Sequence, residues 1–288
     1  MKNTPENNFL ENNAPESHHT ASTPGQAGRV IAIASGKGGV GKTWLSITLA
    51  HILAARSARV LLFDGDFGLA NIDIQLGLTP SRDLCDVASG EFGLSEAITA
   101  YRGPDGMGPD FAILPGRSGA SVLSGLTVPA LDMMLTNLRG LDAYDTLLLD
   151  LGAGIDRVTR RLAAWADTLL VVTTDEPTAL ADAYAVLKLH ARDRPMLADV
   201  GGMAADARII VNQAASLVSG ERAYATLAKA CGKFLGWTPP LAGIIRRDPN
   251  VGEAIRRQAL LVTRHPNTPS ALEAGNIAAT LRGHGPHA

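Results

Sequence analysis

Aromatic residues are scarce in this 288-residue chain, 5% of the total. So few rings argue against the aromatic platforms on which nucleic-acid bases stack. No apolar run approaches the roughly 20 residues of a membrane-spanning helix. Cysteine is equally sparse. Cys85 and Cys231 lie far apart, without Cys-x-x-Cys spacing, which excludes a disulfide framework and a zinc site and reads as a reduced, cytoplasmic protein. Net charge is only −2, so the chain is no polycation, and any contact with nucleic acid must come from a local patch. Residues 1–28 have no apolar h-region and do not read as a signal peptide. They are rich in Asn, Pro, Ser, Thr and His and offer little to bury, so they are expected to be a disordered polar tail. His18 and His19 within it read as a solvated pair.

Apolar residues, by contrast, make up 46% of the chain. From Arg29 onward, strand-length apolar runs alternate with helical patterns. The predicted strands are Val30–Ala34, Val60–Phe63, Phe111–Leu114, Thr146–Leu149, Thr168–Thr173, Ala207–Val211 and Leu241–Ile245. Predicted helices between them include Lys42–Ala55, Val128–Leu138, Ala179–Arg192 and Glu221–Phe234, with two short ones over 83–98. Continuous Val, Leu and Ile runs suit strands buried on both faces of a parallel sheet. Alternation with helices implies βαβ units and an α/β fold with a doubly wound, mostly parallel sheet. One domain over 29–283 is expected, flanked by the tail 1–28 and a short tail 284–288. In such sheets ligands sit at the C-terminal ends of the strands.

The first strand end carries Gly36-Lys37-Gly38-Gly39-Val40-Gly41-Lys42-Thr43, which opens directly into the first helix. Strand, glycine-rich loop and helix, closing on Gly-Lys-Thr, form the phosphate-cradling loop of nucleoside triphosphatases. Glycines let successive backbone N–H groups turn inward around phosphate oxygens, and the helix N-terminus adds partial positive charge. Lys42 then reaches the β- and γ-phosphates, and Thr43 offers a hydroxyl to Mg²⁺. Lys37 is a second cation inside the same turn, repelled by the first unless more negative charge arrives.

Acids follow two later strands: Asp64-Gly65-Asp66 after Phe63, and Asp150 after Leu149. Asp and Gly are ordinary turn residues. Coming after a phosphate loop, such carboxylates hold a magnesium shell and orient an attacking water. Gly152, just beyond Asp150, lets a backbone N–H approach a γ-phosphate and move when it leaves. Asn212 ends another strand, where its amide either pairs with a base edge or stabilises a turn.

The loop resembles the deviant Walker A motif of the MinD/ParA family, Lys-Gly-Gly-x-Gly-Lys-Thr/Ser, at every fixed position. The resemblance implies a P-loop ATPase using ATP and Mg²⁺, with residues 36–43 around the phosphates. It implies that Lys37 crosses a dimer interface to the nucleotide of the other subunit. It places Asp66 on the catalytic water, Asp64 and Asp150 near the metal, and Asn212 at the adenine. Gly68-Leu69-Ala70-Asn71-Ile72-Asp73, Asp150-Leu151-Gly152-Ala153-Gly154-Ile155 and Glu176-Pro177-Thr178 followed by Asp182-Ala183-Tyr184-Ala185 are similar to the flagellar-number-regulator branch. That branch implies an ATP-dependent homodimeric switch with a signal-recognition-type GTPase or polar regulator as partner, touching the membrane peripherally at most. Thr178 reads as the N-cap of the Ala179–Arg192 helix.

Three departures stand out. Arg246 occupies a position where the family usually has proline, which bears on adenine packing and base selectivity. The tail lacks the Asp-Gln-Ala segment common in that branch. The predicted helix Ser270–Arg282 lacks basic-amphipathic, membrane-targeting character. Division-site and partition ATPases are the alternatives within the family. Between Glu221 and Arg264 eight basic residues face three acids, a patch for DNA, anionic lipid or an acidic partner, or simply solvated helix faces and loops. Nitrogenase iron protein shares the loop, and two cysteines per subunit would supply four cluster ligands across a dimer. Cys85 and Cys231, however, sit away from the switch motifs.

Overall fold

Most of the apolar runs become strands because they are hidden on both faces, and all lie in one sheet. A computed structural model describes residues 28–103, 110–119, 125–193 and 206–281. Residues 1–27 of the predicted tail 1–28, the tail 284–288 and most of the predicted exposed loop Tyr101–Asp110 lie outside the described residues. In chain order the elements are β1 (Arg29–Ser35), α1 (Lys42–Ala55), β2 (Val60–Gly65), α2 (Ile72–Leu76), α3 (Leu84–Ala88), α4 (Leu94–Ala97), β3 (Thr99–Tyr101) and β4 (Phe111–Leu114). There follow α5 (Val128–Arg139), β5 (Thr146–Ala153), α6 (Arg157–Trp165), β6 (Thr168–Thr173), α7 (Pro177–Asp193), β7 (Asp206–Ala214) and α8 (Leu217–Leu235). The chain closes with β8 (Leu241–Arg246), α9 (Pro249–Arg256), α10 (Leu261–Arg264) and α11 (Pro269–Leu281).

The strand order is β3-β4-β2-β5-β1-β6-β7-β8. Every pairing is parallel except β3 with β4, where Tyr101 stands opposite Phe111. All seven predicted strands are present, and β3 adds an antiparallel edge. Alternate residues of each strand feed opposite faces, as the two-residue strand period requires. Val30, Leu61, Phe63 and Leu149 pack under α3 and α5 to α8, while Ile31, Leu62 and Leu148 pack under α1, α10 and α11. Helix α1 is covered nearly all round, which suits its apolar length. The predicted C-terminal helix forms α11, with Ala274, Ile277 and Leu281 turned into the core.

One helix start differs from expectation. α7 begins at Pro177, the position where proline's missing N–H costs nothing. Thr178 is therefore inside the first turn and does not cap it. No described helix is long and apolar enough to cross a membrane.

Candidate functional site

Three neighbouring strands, β2, β5 and β1, end together and deliver the motif residues to one edge of the sheet. Parallel register sets Asp64 on β2 beside Asp150 on β5, and Asp150 beside Ile33 on β1. The loop after β1 then runs from Gly36 to Gly41 and enters α1. Gly39 and Gly41 hold φ of +78° and +89°, conformations that side chains disfavour. Open space surrounds a Cβ built at Gly38 or Gly39, as a cradle needs. At Gly36 a Cβ would collide with the Asp182 carbonyl, so α7 packs directly against the loop's start.

Lys42 opens α1 and is 8% exposed. Burial lowers its pKa, and the charges of Asp150 and Asp66 oppose that shift. Asp150 is buried and hydrogen-bonded by the Thr43 hydroxyl, while Ser46 Oγ lies 2.8 Å from its Oδ1. Burial raises Asp150, and Thr43, Lys42 and Ser46 hold it back. Asp64 is raised by burial first and then by Asp150. Its carboxylate ties down the following loop, accepting from the N–H of Asp66 at 3.2 Å, Asn71 at 3.0 Å and Ile72 at 3.1 Å. Two buried carboxyls in adjacent register beside a buried ammonium are stable when a cation and polyanion complete them.

Asp66 is less tightly held. Its Oδ1 accepts from the N–H of Leu69 at 2.9 Å and of Gly68 at 3.3 Å. Gly152 leaves room for it, since a Cβ there would approach the same oxygen to 3.3 Å. Beyond this pair a cleft of about 1020 Å³ opens between residues 65–69, 125–129, 152–153 and 156–159. Leu69, 70% exposed, and Ile155, 47% exposed, stand by it as apolar groups facing solvent.

Lys37 projects from the loop and folds back on its own chain. Its Nζ lies 2.5 Å from Glu176 Oε2 and 3.2 Å from Thr178 Oγ1. That hydrogen bond, then the lysine's charge, lowers the pKa of Glu176. Sequence reasoning had not identified Glu176 as a site residue. Ser46 and Gln213 were missed as well; Gln213 Nε2 donates to the Gly39 carbonyl at 3.0 Å. Asn212 is buried, and its Nδ2 donates to the Val40 carbonyl at 2.8 Å.

The position of Arg246 has a local reason. Its N–H donates to Glu273 Oε2 at 2.8 Å and its Nε to Glu273 Oε1 at 2.5 Å. Proline would lack the first of these bonds. Part of the basic run is likewise engaged within the chain, for Arg257 and Arg264 both meet Glu253. Cys85 and Cys231 are buried. Burial, then Asp83, pushes the Cys85 thiol up to about 11, far from the thiolate a cluster needs. No group of three or more metal-ligating His, Cys, Asp or Glu occurs among the described residues. Thr43, Asp150 and Asp64 instead suit Mg²⁺, which keeps waters and leans on substrate phosphates rather than a full protein cage.

Comparison with known proteins agrees with this fold. The model of the CobQ/CobB/MinD/ParA nucleotide binding domain matches residues 31–262. The chain is 36% identical over 247 residues to the antiactivator FleN of Pseudomonas aeruginosa, covering 85% of this chain and 82% of that one. It is 34% identical over 178 residues to the flagellum site-determining protein YlxH of Helicobacter pylori, covering 62% and 58% respectively. The cell division ATPase MinD of Pyrococcus furiosus has a similar structure, with a TM-score of 0.69 at 25% identity over 88% of this chain and 98% of that one.

Proposed function

The chain belongs to the CobQ/CobB/MinD/ParA nucleotide-binding family, and from that premise we propose that it is an ATP-hydrolysing, dimerising switch that sets the number or placement of flagella. The observation that carries the switch is the meeting of buried Lys42 and Asp150 with half-buried Asp66 at one sheet edge, next to a second, partly exposed lysine. The flagellar assignment rests on the similarity to FleN and YlxH.

In this reading residues 36–43 wrap the phosphates and Lys42 neutralises their charge. Thr43 and Asp150 would hold Mg²⁺, with Asp64 beside them, and the ion adds further neutralisation of the phosphates. Asp66 orients the attacking water against the γ-phosphate. Gly152 gives that carboxylate its space. Lys37 leaves Glu176 and reaches the nucleotide of a second copy, so ATP favours the dimer and hydrolysis releases it. Asn212 borders the base. Leu69 and Ile155, beside the cleft between the two loops, give the ATP state an apolar face for the second copy or a protein partner. The partner implied by the flagellar reading is a signal-recognition-type GTPase or a polar regulator.

Asp66→Ala tests the hydrolytic step. The variant is expected to bind Mg-ATP like the parent, lose turnover and accumulate as the dimer. Normal phosphate release by the variant would overturn the assignment of Asp66.

A further inference from the structure

β7 leaves the regular ladder beside the phosphate loop. Its pairing with β8 shifts register between Val211 and Ala214, and Asn212 and Gln213 occupy that irregularity. Bulges of this kind re-aim side chains next to functional sites. Here both amides turn to the loop: Asn212 Nδ2 donates to the Val40 carbonyl at 2.8 Å and Gln213 Nε2 to the Gly39 carbonyl at 3.0 Å. Carbonyl oxygens only accept, so each amide must present its nitrogen. Asn212 Oδ1 meanwhile accepts from the Gln213 backbone N–H at 2.9 Å, which ties the Asn212 side chain to the main chain of its neighbour.

Gln213 is held at φ +55°, a left-handed conformation uncommon for a residue with a side chain. Such strain persists where surrounding contacts over-determine it. The loop side is equally constrained. A Cβ at Gly41 would lie 2.5 Å from Asn212 Nδ2 and 3.7 Å from Gln213 Nε2. In a planar trans peptide the C=O of one residue and the N–H of the next point opposite ways. Holding the Gly39 and Val40 carbonyls toward β7 therefore aims the Val40 and Gly41 N–H groups away from it.

We propose that Asn212 and Gln213 clamp the phosphate loop from outside, and that Gln213 is a positioning residue for phosphate binding rather than a contact to the base. The clamp deepens the nucleotide reading above and rests on it. Donors fixed before the ligand arrives need no reordering when it binds. Asn212, which family resemblance places at adenine, spends one amide hydrogen and one oxygen contact on this device.

The test titrates Mg-ATP and Mg-tripolyphosphate, which has no base, into the parent, Gln213→Ala and Gln213→Gly by calorimetry. Glycine removes the amide but accommodates the backbone angle, so it separates the hydrogen bond from the strain. Both variants are expected to bind both ligands about fivefold more weakly, because the ligand must then order the loop that the amide had held. The thermal midpoint of Gln213→Gly is expected to match the parent's. A loss confined to Mg-ATP would make Gln213 a base contact and overturn the clamp. Parental affinity in Gln213→Gly would overturn it too. A parent that binds neither ligand would overturn the nucleotide reading itself, and the clamp with it.

Discussion

Replacing Ser46 with alanine isolates what holds Asp150 in place. Ser46 is buried on α1, one turn beyond Lys42, and its Oγ lies 2.8 Å from Asp150 Oδ1. The other side-chain hydrogen bond to that carboxylate comes from Thr43. Ser46→Ala thus removes one of two hydroxyl donors from a carboxylate that is 1% exposed. A hydrogen bond to a charged group is worth roughly 1.5–3 kcal/mol. Alanine also spares the desolvation of a hydroxyl, so the lower end applies, about 1.5 kcal/mol or about tenfold in affinity. The loss belongs to the metal side of the site, because Lys42 and the loop amides hold phosphates without the ion. Calorimetric titration of ADP is therefore expected to show binding about tenfold weaker in Mg²⁺ and unchanged in EDTA. An equal loss in EDTA would mean that Ser46 supports α1 rather than Asp150. Parental affinity in Mg²⁺ would refute the role of the hydrogen bond altogether.

Two further outcomes follow from the geometry. Lys37 must leave Glu176 to reach a second subunit, and exposed ion pairs are weak. Glu176→Gln is expected to move ATP-dependent dimerisation to lower protein concentration by a few-fold in sedimentation velocity; a move to higher concentration would place Glu176 in the interface instead. Burial holds the pKa of His51 below 6.5 in the folded chain, so the unfolded chain takes up the proton first. That contribution to stability is complete above 6.5 and is lost as pH falls through the lower folded value. Urea midpoints for His51→Gln should decline less than the parent's as pH falls below about 6.5; parallel declines would contradict this.

Most of the sheet was legible because the strands are two-sided. Runs such as Val60-Leu61-Leu62-Phe63 must be hidden on both faces, and a parallel sheet between helix layers is the arrangement that does so. β3 escaped notice because Thr99-Ala100-Tyr101 is a three-residue edge strand with no run to read. α6 was not singled out because Arg157, Arg160 and Arg161 interrupt its apolar spacing; its Asp156 cap was the available signal. The site divided in the same way. Lys42, Thr43, Asp66 and Asp150 are legible because each lies within a few residues of a strand end. Their supports are not local. Ser46 meets a residue 104 positions away, Glu176 one 139 away and Gln213 one 174 away. Single-chain spacing carries no trace of such pairings, which the strand order alone creates. The N-cap expected of Thr178 failed for a related reason: Pro177 is itself a favourable first helical residue, and the Thr178 hydroxyl faces Lys37 across the sheet edge.

The central claim is a nucleotide-driven dimer made through Lys37. Light-scattering mass with ADP and with a non-hydrolysable ATP analogue, for the parent and Lys37→Ala, tests it most directly. The account predicts a parent that is monomeric with ADP and dimeric with the analogue, and a variant that binds the analogue yet stays monomeric. A parent that remains monomeric at saturating analogue, or a variant that dimerises as the parent does, would contradict it.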